Sequence, residues 1–170
     1  MSEIEVLNAD ITTLQVDAIV NAANRGLSGG GGVDGAIHRA AGPELMEACR
    51  IVGMCPTGSA RVTPGFRLPA GHVIHAVGPV WEGGDRGEDE LLSSAYRASM
   101  KLAAEHGFTS VAFPAISCGA YRFPIQRAAD LAVRTIREEL GASGIVKKVV
   151  FAVREKAVES AFRRSVGSDR

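Results

Sequence analysis

The chain's 170 residues suit one domain, and 46% hydrophobic against 22% charged residues is a globular composition that excludes intrinsic disorder. Nineteen Lys and Arg balance nineteen Asp and Glu; with no net field to draw in nucleic acid or an anionic membrane face, an anionic ligand must be held locally. No run approaches the roughly 18 apolar residues of a membrane span, and the acidic opening Met1-Ser2-Glu3-Ile4-Glu5 is unlike a signal peptide, so a cytoplasmic location and, by default, one monomeric domain over residues 1–170 are expected.

Apolar runs with β-branched residues alternate with stretches of helical period, and Gly or Pro clusters separate them, which is the pattern of an α/β domain. In chain order the pattern predicts strands at Ile4–Leu7 and Ala18–Asn21, helices at Val33–Ala41 and Pro43–Val52, and strands at Ala60–Thr63 and His72–Val77. A helix at Asp89–His106, a strand at Ser110–Pro114, a helix at Ile125–Leu140, a strand at Lys147–Val153 and a helix at Lys156–Val166 complete the series. Leu91, Leu92, Ala95, Tyr96, Ser99 and Leu102 recur at three- and four-residue steps, as do Ala129, Leu131, Ala132, Ile136 and Leu140, so each of these two helices has one core-facing stripe. No internal repeat or low-complexity linker interrupts the chain, and Gly83 to Gly87 reads as a short polar loop.

Cys49, Cys55 and Cys118 lack paired CxxC spacing, and His38, His72, His75 and His106 form no HExxH, so these seven are expected to be packing or surface residues and no metal is expected. The unusual figure is 20 glycines. They concentrate in Arg25-Gly-Leu-Ser-Gly-Gly-Gly-Gly-Val-Asp-Gly35, which follows a buried strand and runs into a helix, so backbone N–H groups and the helix N-terminus make a cradle for phosphate. Gly30, Gly32 and Gly35 fit GxGxxG, but the loop leaves its strand late and no acidic residue ends a second strand about 20 residues on, against a plain dinucleotide site. No GK[ST] follows, which excludes a Walker loop; a surface loop with accidental glycines is the plain alternative.

A second small-residue loop, Pro114 to Pro124, follows another strand, and two such loops at strand ends suit one ligand. In it, Tyr121 or Phe123 either closes over a sugar face or fills the core. Asn21 and Asn24 leave the strand beside the first loop, and Asp34 falls in the first helical turn, where it is either a dipole partner or the best available general base. Asp10 either caps a turn or accepts from a ligand amino group.

Val16-Asp17-Ala18-Ile19-Val20-Asn21-Ala22-Ala23-Asn24, Gly29 to Gly32, and Val33-Asp34-Gly35-Ala36-Ile37-His38-Arg39-Ala40-Ala41-Gly42-Pro43 closely resemble the macrodomain family. Cys55-Pro56-Thr57-Gly58, Val77-Gly78-Pro79-Val80-Trp81 and Pro114-Ala115-Ile116-Ser117-Cys118-Gly119 follow in the family's order, and the likeness runs from about Ile4 to Phe162. It is greatest to the MacroD-type ADP-ribose hydrolases. The resemblance implies a three-layer αβα fold around a mixed, about six-stranded sheet, with ADP-ribose bound at the strand ends. It implies Asp10 on the adenine amino group and Ile11 against the base. It also implies Gly30, Gly31, Gly32 and Val33 on the diphosphate and distal ribose, Asn21 at the strand end, Asn24 and Asp34 at the reactive end, and Ser117, Cys118, Gly119, Ala120, Tyr121 and Arg122 closing over the phosphates.

The activity so implied is metal- and cofactor-independent release of ADP-ribose from modified Glu or Asp side chains, and deacetylation of O-acetyl-ADP-ribose, by water positioned by Asp34 with Asn24 holding the ribose. The implied partners are ADP-ribose, ADP-ribosylated proteins and O-acetyl-ADP-ribose, with nucleic acid and membranes outside the expectation; a non-catalytic ADP-ribose reader is the alternative. Three positions depart from the family pattern: Arg122 stands where a second glycine is usual, Cys118 where Thr is common, and Val153-Arg154-Glu155 where an aromatic stacks on adenine. Arg122 is expected either to change the loop backbone or to reach the diphosphate, and Arg154 either to stack its planar guanidinium on the base, the favoured reading, or to point into solvent.

Overall fold

The computed structural model describes residues 3–167. Strands β1 (Glu3–Asn8), β2 (Ala18–Ala22), β3 (Ala60–Pro64), β4 (His72–Ala76), β5 (Ser110–Phe113) and β6 (Lys148–Val153) form one sheet in the order β1-β6-β5-β2-β4-β3. Neighbouring strands are parallel except at the edge, where β3 runs antiparallel to β4. Helices α1 (Gly32–Ala41) and α2 (Pro43–Val52) cover one face, and α3 (Glu88–Glu105), α4 (Ile125–Ser143) and α5 (Lys156–Gly167) the other. The expected mixed six-stranded sheet between two helical layers is the observed one.

Parity along the strands divides the core. Ala18 and Val20 of β2 and Ile74 of β4 join the α3–α5 side, where Tyr96, Phe113, Phe151 and Phe162 pack, while Ile19 and Val73 meet Ile37, Ala41, Leu45 and Cys49 of α1 and α2. Backbone chemistry sets the helix ends: Gly42 (φ +94) closes α1 with its N–H on the His38 carbonyl, Pro43 opens α2, and Gly53 (φ +88) ends it. The predicted elements occur with small shifts in their ends. β4 stops at Ala76, α3 begins at Glu88, and α4 continues to Ser143, where Gly144 at φ +67 ends it. A short 3-10 turn at Ile11–Thr13 follows β1 with Asp10 as its cap, the first of the two roles the sequence left open for that residue.

The stripe on α3 is rotated slightly from the periodicity: Leu92, Ala95, Tyr96, Ser99, Met100 and Ala103 are buried, with Leu91 and Leu102 at its margin. Adjacent strands β2 and β5 send the chain to opposite faces, β2 toward α1 and β5 toward α4. A crevice therefore opens beyond their C-terminal ends, the position where open α/β sheets bind ligands.

Candidate functional site

A cleft of about 560 Å³, the size of an ordinary small-molecule site, occupies that crevice. Ala22, Ala23 and Asn24 supply the wall beyond β2, Gly30 to Asp34 the wall of the glycine loop and first turn of α1, and Pro114 to Tyr121 the wall beyond β5. Ala152 to Glu155 with Val158 form the end beyond β6.

One glycine behind the glycine wall is required by packing. A Cβ on Gly35 would stand 2.6 Å from the Gly30 carbonyl oxygen, so only glycine lets the loop lie on the helix start. No side chain caps α1, which leaves its leading N–H groups for solvent or a ligand, at the positive end of the helix dipole. Asn24 shapes the same loop: its Nδ2 donates to the Gly29 carbonyl (2.9 Å) and its Oδ1 accepts from the Ser28 N–H (3.0 Å).

Asp34 lies at the cleft wall, 7% exposed. Its two oxygens are treated differently. Oδ1 accepts from Asn21 Nδ2 at 2.9 Å and lies 3.3 Å from His38 Nε2, one helical turn on. Oδ2 points to the glycine loop, 3.6 Å from where a Cβ on Gly30 would be. The carboxylate is thus anchored through one oxygen while the other faces the glycine wall.

The opposite wall is tied down from α3. Tyr96 Oη donates to the Pro114 carbonyl (3.4 Å) and accepts from the Ile116 N–H (3.1 Å), and burial raises its pKa. Ser117, at φ +66, donates to the Pro79 carbonyl at 2.8 Å, and a Cβ on Gly78 would collide with Ser117 and Ile116. Cys118 lines the cleft with its thiol pushed up to about 12 by burial and by the Glu155 carboxylate, so it stays a protonated thiol and not a nucleophile.

The structure brings Asn24, Gly30, Gly31, Gly32, Val33, Asp34, Ser117, Cys118, Gly119, Ala120, Tyr121 and Arg154 together on the cleft. Four expected site residues are not on its lining. Asn21 is fully buried behind Asp34, because its side chain leaves β2 on the α1 face. Ile11 is a core residue under the 3-10 turn, 3% exposed. Asp10 caps that turn through the Thr12 hydroxyl (2.7 Å) and N–H (3.0 Å), bonds that hold its carboxyl below the ordinary value, and stands 3.9 Å from Arg154 Nη1.

Arg122 is exposed beyond the cleft wall. Its backbone is in the left-handed conformation that favours glycine, at φ +62. Of the two loop aromatics, Tyr121 lines the cleft, while Phe123 is buried against Trp81 at 4.9 Å between ring centroids. Sequence reasoning passed over His38, although its place four residues after Asp34 is a visible helical signal. It also missed Gly78, Val153 and Val158 on the cleft, which carry no chemical signature of their own.

No group of three or more His, Cys, Asp or Glu suited to a metal occurs among the described residues, and no described helix is long and apolar enough to cross a membrane.

A family model described as Macro domain matches residues 20–132, which include the end of β2, the glycine loop and the loop beyond β5. The chain belongs to the macrodomain family. This macrodomain is 60% identical over 148 residues to a macro domain-containing protein of Chlorobaculum tepidum, covering 87% of this chain and 86% of the relative. It is 55% identical over 154 residues to an O-acetyl-ADP-ribose deacetylase of Escherichia fergusonii, covering 88% and 87%. Among solved structures it superposes on a Trypanosoma brucei macrodomain in complex with ADP-ribose with a TM-score of 0.91 at 39% identity, covering 96% of this chain and 69% of that one.

Proposed function

We propose that this macrodomain binds ADP-ribose in the cleft and hydrolyses an ester on its distal ribose, releasing the acyl group from O-acetyl-ADP-ribose and ADP-ribose from modified Glu or Asp side chains. The observation that carries the proposal is the Asp34 carboxylate, anchored through Oδ1 by Asn21 and His38 and presenting Oδ2 to the glycine wall. Backbone N–H groups at the uncapped start of α1 suit a diphosphate. The distal ribose then falls beside Asp34 and Asn24, and the adenine toward Val153, Arg154 and Val158. The name of the Escherichia fergusonii relative and the ligand of the Trypanosoma brucei structure support the same substrate class.

The chemistry is modest. Water adds to the ester and the products are a free acid and ADP-ribose, so the protein must orient the water and accept or share its proton as attack proceeds. Asp34 Oδ2 does this from a fixed position, and Asn24 keeps the loop that covers the ribose in shape.

The test is ADP-ribose binding by calorimetry together with ADP-ribose release from O-acetyl-ADP-ribose and from a glutamate-linked mono-ADP-ribosylated protein. Binding with release from at least one ester is expected. Tight binding with release from neither makes the domain a reader, and no binding removes the ligand assignment altogether.

A further inference from the structure

Across the sheet face that meets α1 and α2, one polar line interrupts an otherwise apolar layer. Asn21 of β2 and His75 of β4 are register partners, both 0% exposed, and Thr63 of β3 lies beyond them at 2%. Buried polar groups are tolerated where their hydrogen bonds are complete and correctly directed, so the line can be followed donor by donor.

Asp34 ionised has only acceptors, so the Asn21 group at 2.9 Å from Oδ1 must be the amide nitrogen. That same nitrogen lies 3.2 Å from His75 Nδ1, which must therefore carry a lone pair. The His75 proton is then on Nε2 and is donated to Thr63 Oγ1 at 2.9 Å, and the Thr63 hydroxyl donates onward to the Pro64 carbonyl at 3.2 Å. Each donor meets an acceptor in one direction only. Turning the Asn21 amide over would set its oxygen against the carboxylate. In the observed orientation Asn21 Oδ1 has no protein partner, a cost carried to keep both amide N–H groups on Asp34 and His75.

We propose that His75, as the neutral Nε2–H tautomer, is a positioning residue that fixes the Asp34 carboxylate through the Asn21 side-chain amide, with Thr63 setting the tautomer. The inference rests on the reading of Asp34 as the group that orients the attacking water. The surroundings of His75 agree with a neutral ring: Asn21 from β2, Thr63 from β3, the Cys49 thiol of α2 at 3.8 Å and His38 of α1 bring it no anion, and Arg61, opposite in register, turns its guanidinium to the Ala60 carbonyl. Burial, with His38 adding to it, pushes the His75 pKa down to about 4.

The experiment combines nitrogen NMR of the His75 ring in the wild type with kcat, KM and ADP-ribose Kd for His75→Phe and His75→Gln. The glutamine side chain has a carbonyl for Asn21 and an amide for Thr63; phenylalanine has neither. The expected result is a neutral Nε2–H ring throughout the range in which an ordinary histidine titrates. With it, kcat falls by roughly tenfold to a hundredfold in His75→Phe at unchanged Kd, the scale of a displaced catalytic group, and is largely restored in His75→Gln. An Nδ1–H tautomer overturns the proposal, as does wild-type kcat in His75→Phe or an equal loss in both variants. If His75→Phe does not fold, the tautomer and the glutamine variant decide. If the wild type releases no ADP-ribose, the hydrolytic reading fails by itself, and the tautomer alone judges the relay.

Discussion

Arg122 sits at φ +62, a conformation that costs an L side chain about 1–2 kcal/mol and glycine almost nothing. Its N–H bonds to the Gly119 carbonyl at 3.0 Å, and that turn holds the backbone where it is. Arg122→Gly is therefore expected to stabilise the fold by about 0.5 kcal/mol, the relief of strain less the entropy glycine loses on folding, and to leave ADP-ribose affinity nearly unchanged. Chemical denaturation of the two proteins checks the first part and calorimetry the second. The arginine was visible in the sequence, but its left-handed backbone was not, because that conformation depends on the bonds the turn makes. Asp34 and Asn24 were legible as polar groups beside a glycine loop. Which oxygen of Asp34 is held was not, since that depends on Asn21 pointing into the α1 layer.

At the scale of elements, α3 does more for the cleft than its buried stripe implies. Tyr96 ties the loop beyond β5 through two hydrogen bonds, and Tyr96→Phe leaves the buried Ile116 N–H without its acceptor. The expected cost is about 1–3 kcal/mol of stability, with weaker ADP-ribose binding and little change in kcat at saturation; thermal unfolding and a KM-against-kcat comparison check it. At the head of the same helix, Glu88 accepts the N–H groups of Glu82, Gly84 and Arg86. Burial opposes its charge, yet these donors hold its pKa at about 2, so this support is present above the ordinary carboxylate value and is lost only as pH falls toward about 2. Glu88→Gln is expected to flatten the acid limb of a stability profile measured by denaturant titration. In sequence Glu88 fell between the polar loop Gly83 to Gly87 and the expected helix start at Asp89, with no role assigned to it. The turn at Ile11–Thr13 was legible only as one of two roles for Asp10, and the fold-back of its side chain onto Thr12 decides for the cap.

For the whole molecule, hydrophobic period placed the helices and strands, and the αβα layering followed from the resemblance. The strand order did not follow from either, since β1 pairs with β6 from the opposite end of the chain. The polar line of Asn21, His75 and Thr63 depends on the pairing of β2 with β4 and of β4 with β3, and had no signal within any one segment. It gives the fold a pH signature. His75 is depressed from 6.5 to about 4, so the unfolded chain binds the extra proton first. Stability is full above the ordinary histidine value and falls as pH drops toward about 4, with a slope of up to roughly 1.4 kcal/mol per pH unit. His75→Gln is expected to remove that slope in denaturant titrations. The central claim, that a cleft carboxylate turns an ADP-ribose site into a hydrolase, is tested most directly by ADP-ribose release from a glutamate-linked mono-ADP-ribosylated protein and from O-acetyl-ADP-ribose, wild type beside Asp34→Ala, with ADP-ribose binding on the same samples. A fall of roughly 10² to 10⁴ in kcat with binding retained is the predicted result; turnover within a fewfold of wild type in Asp34→Ala would contradict it.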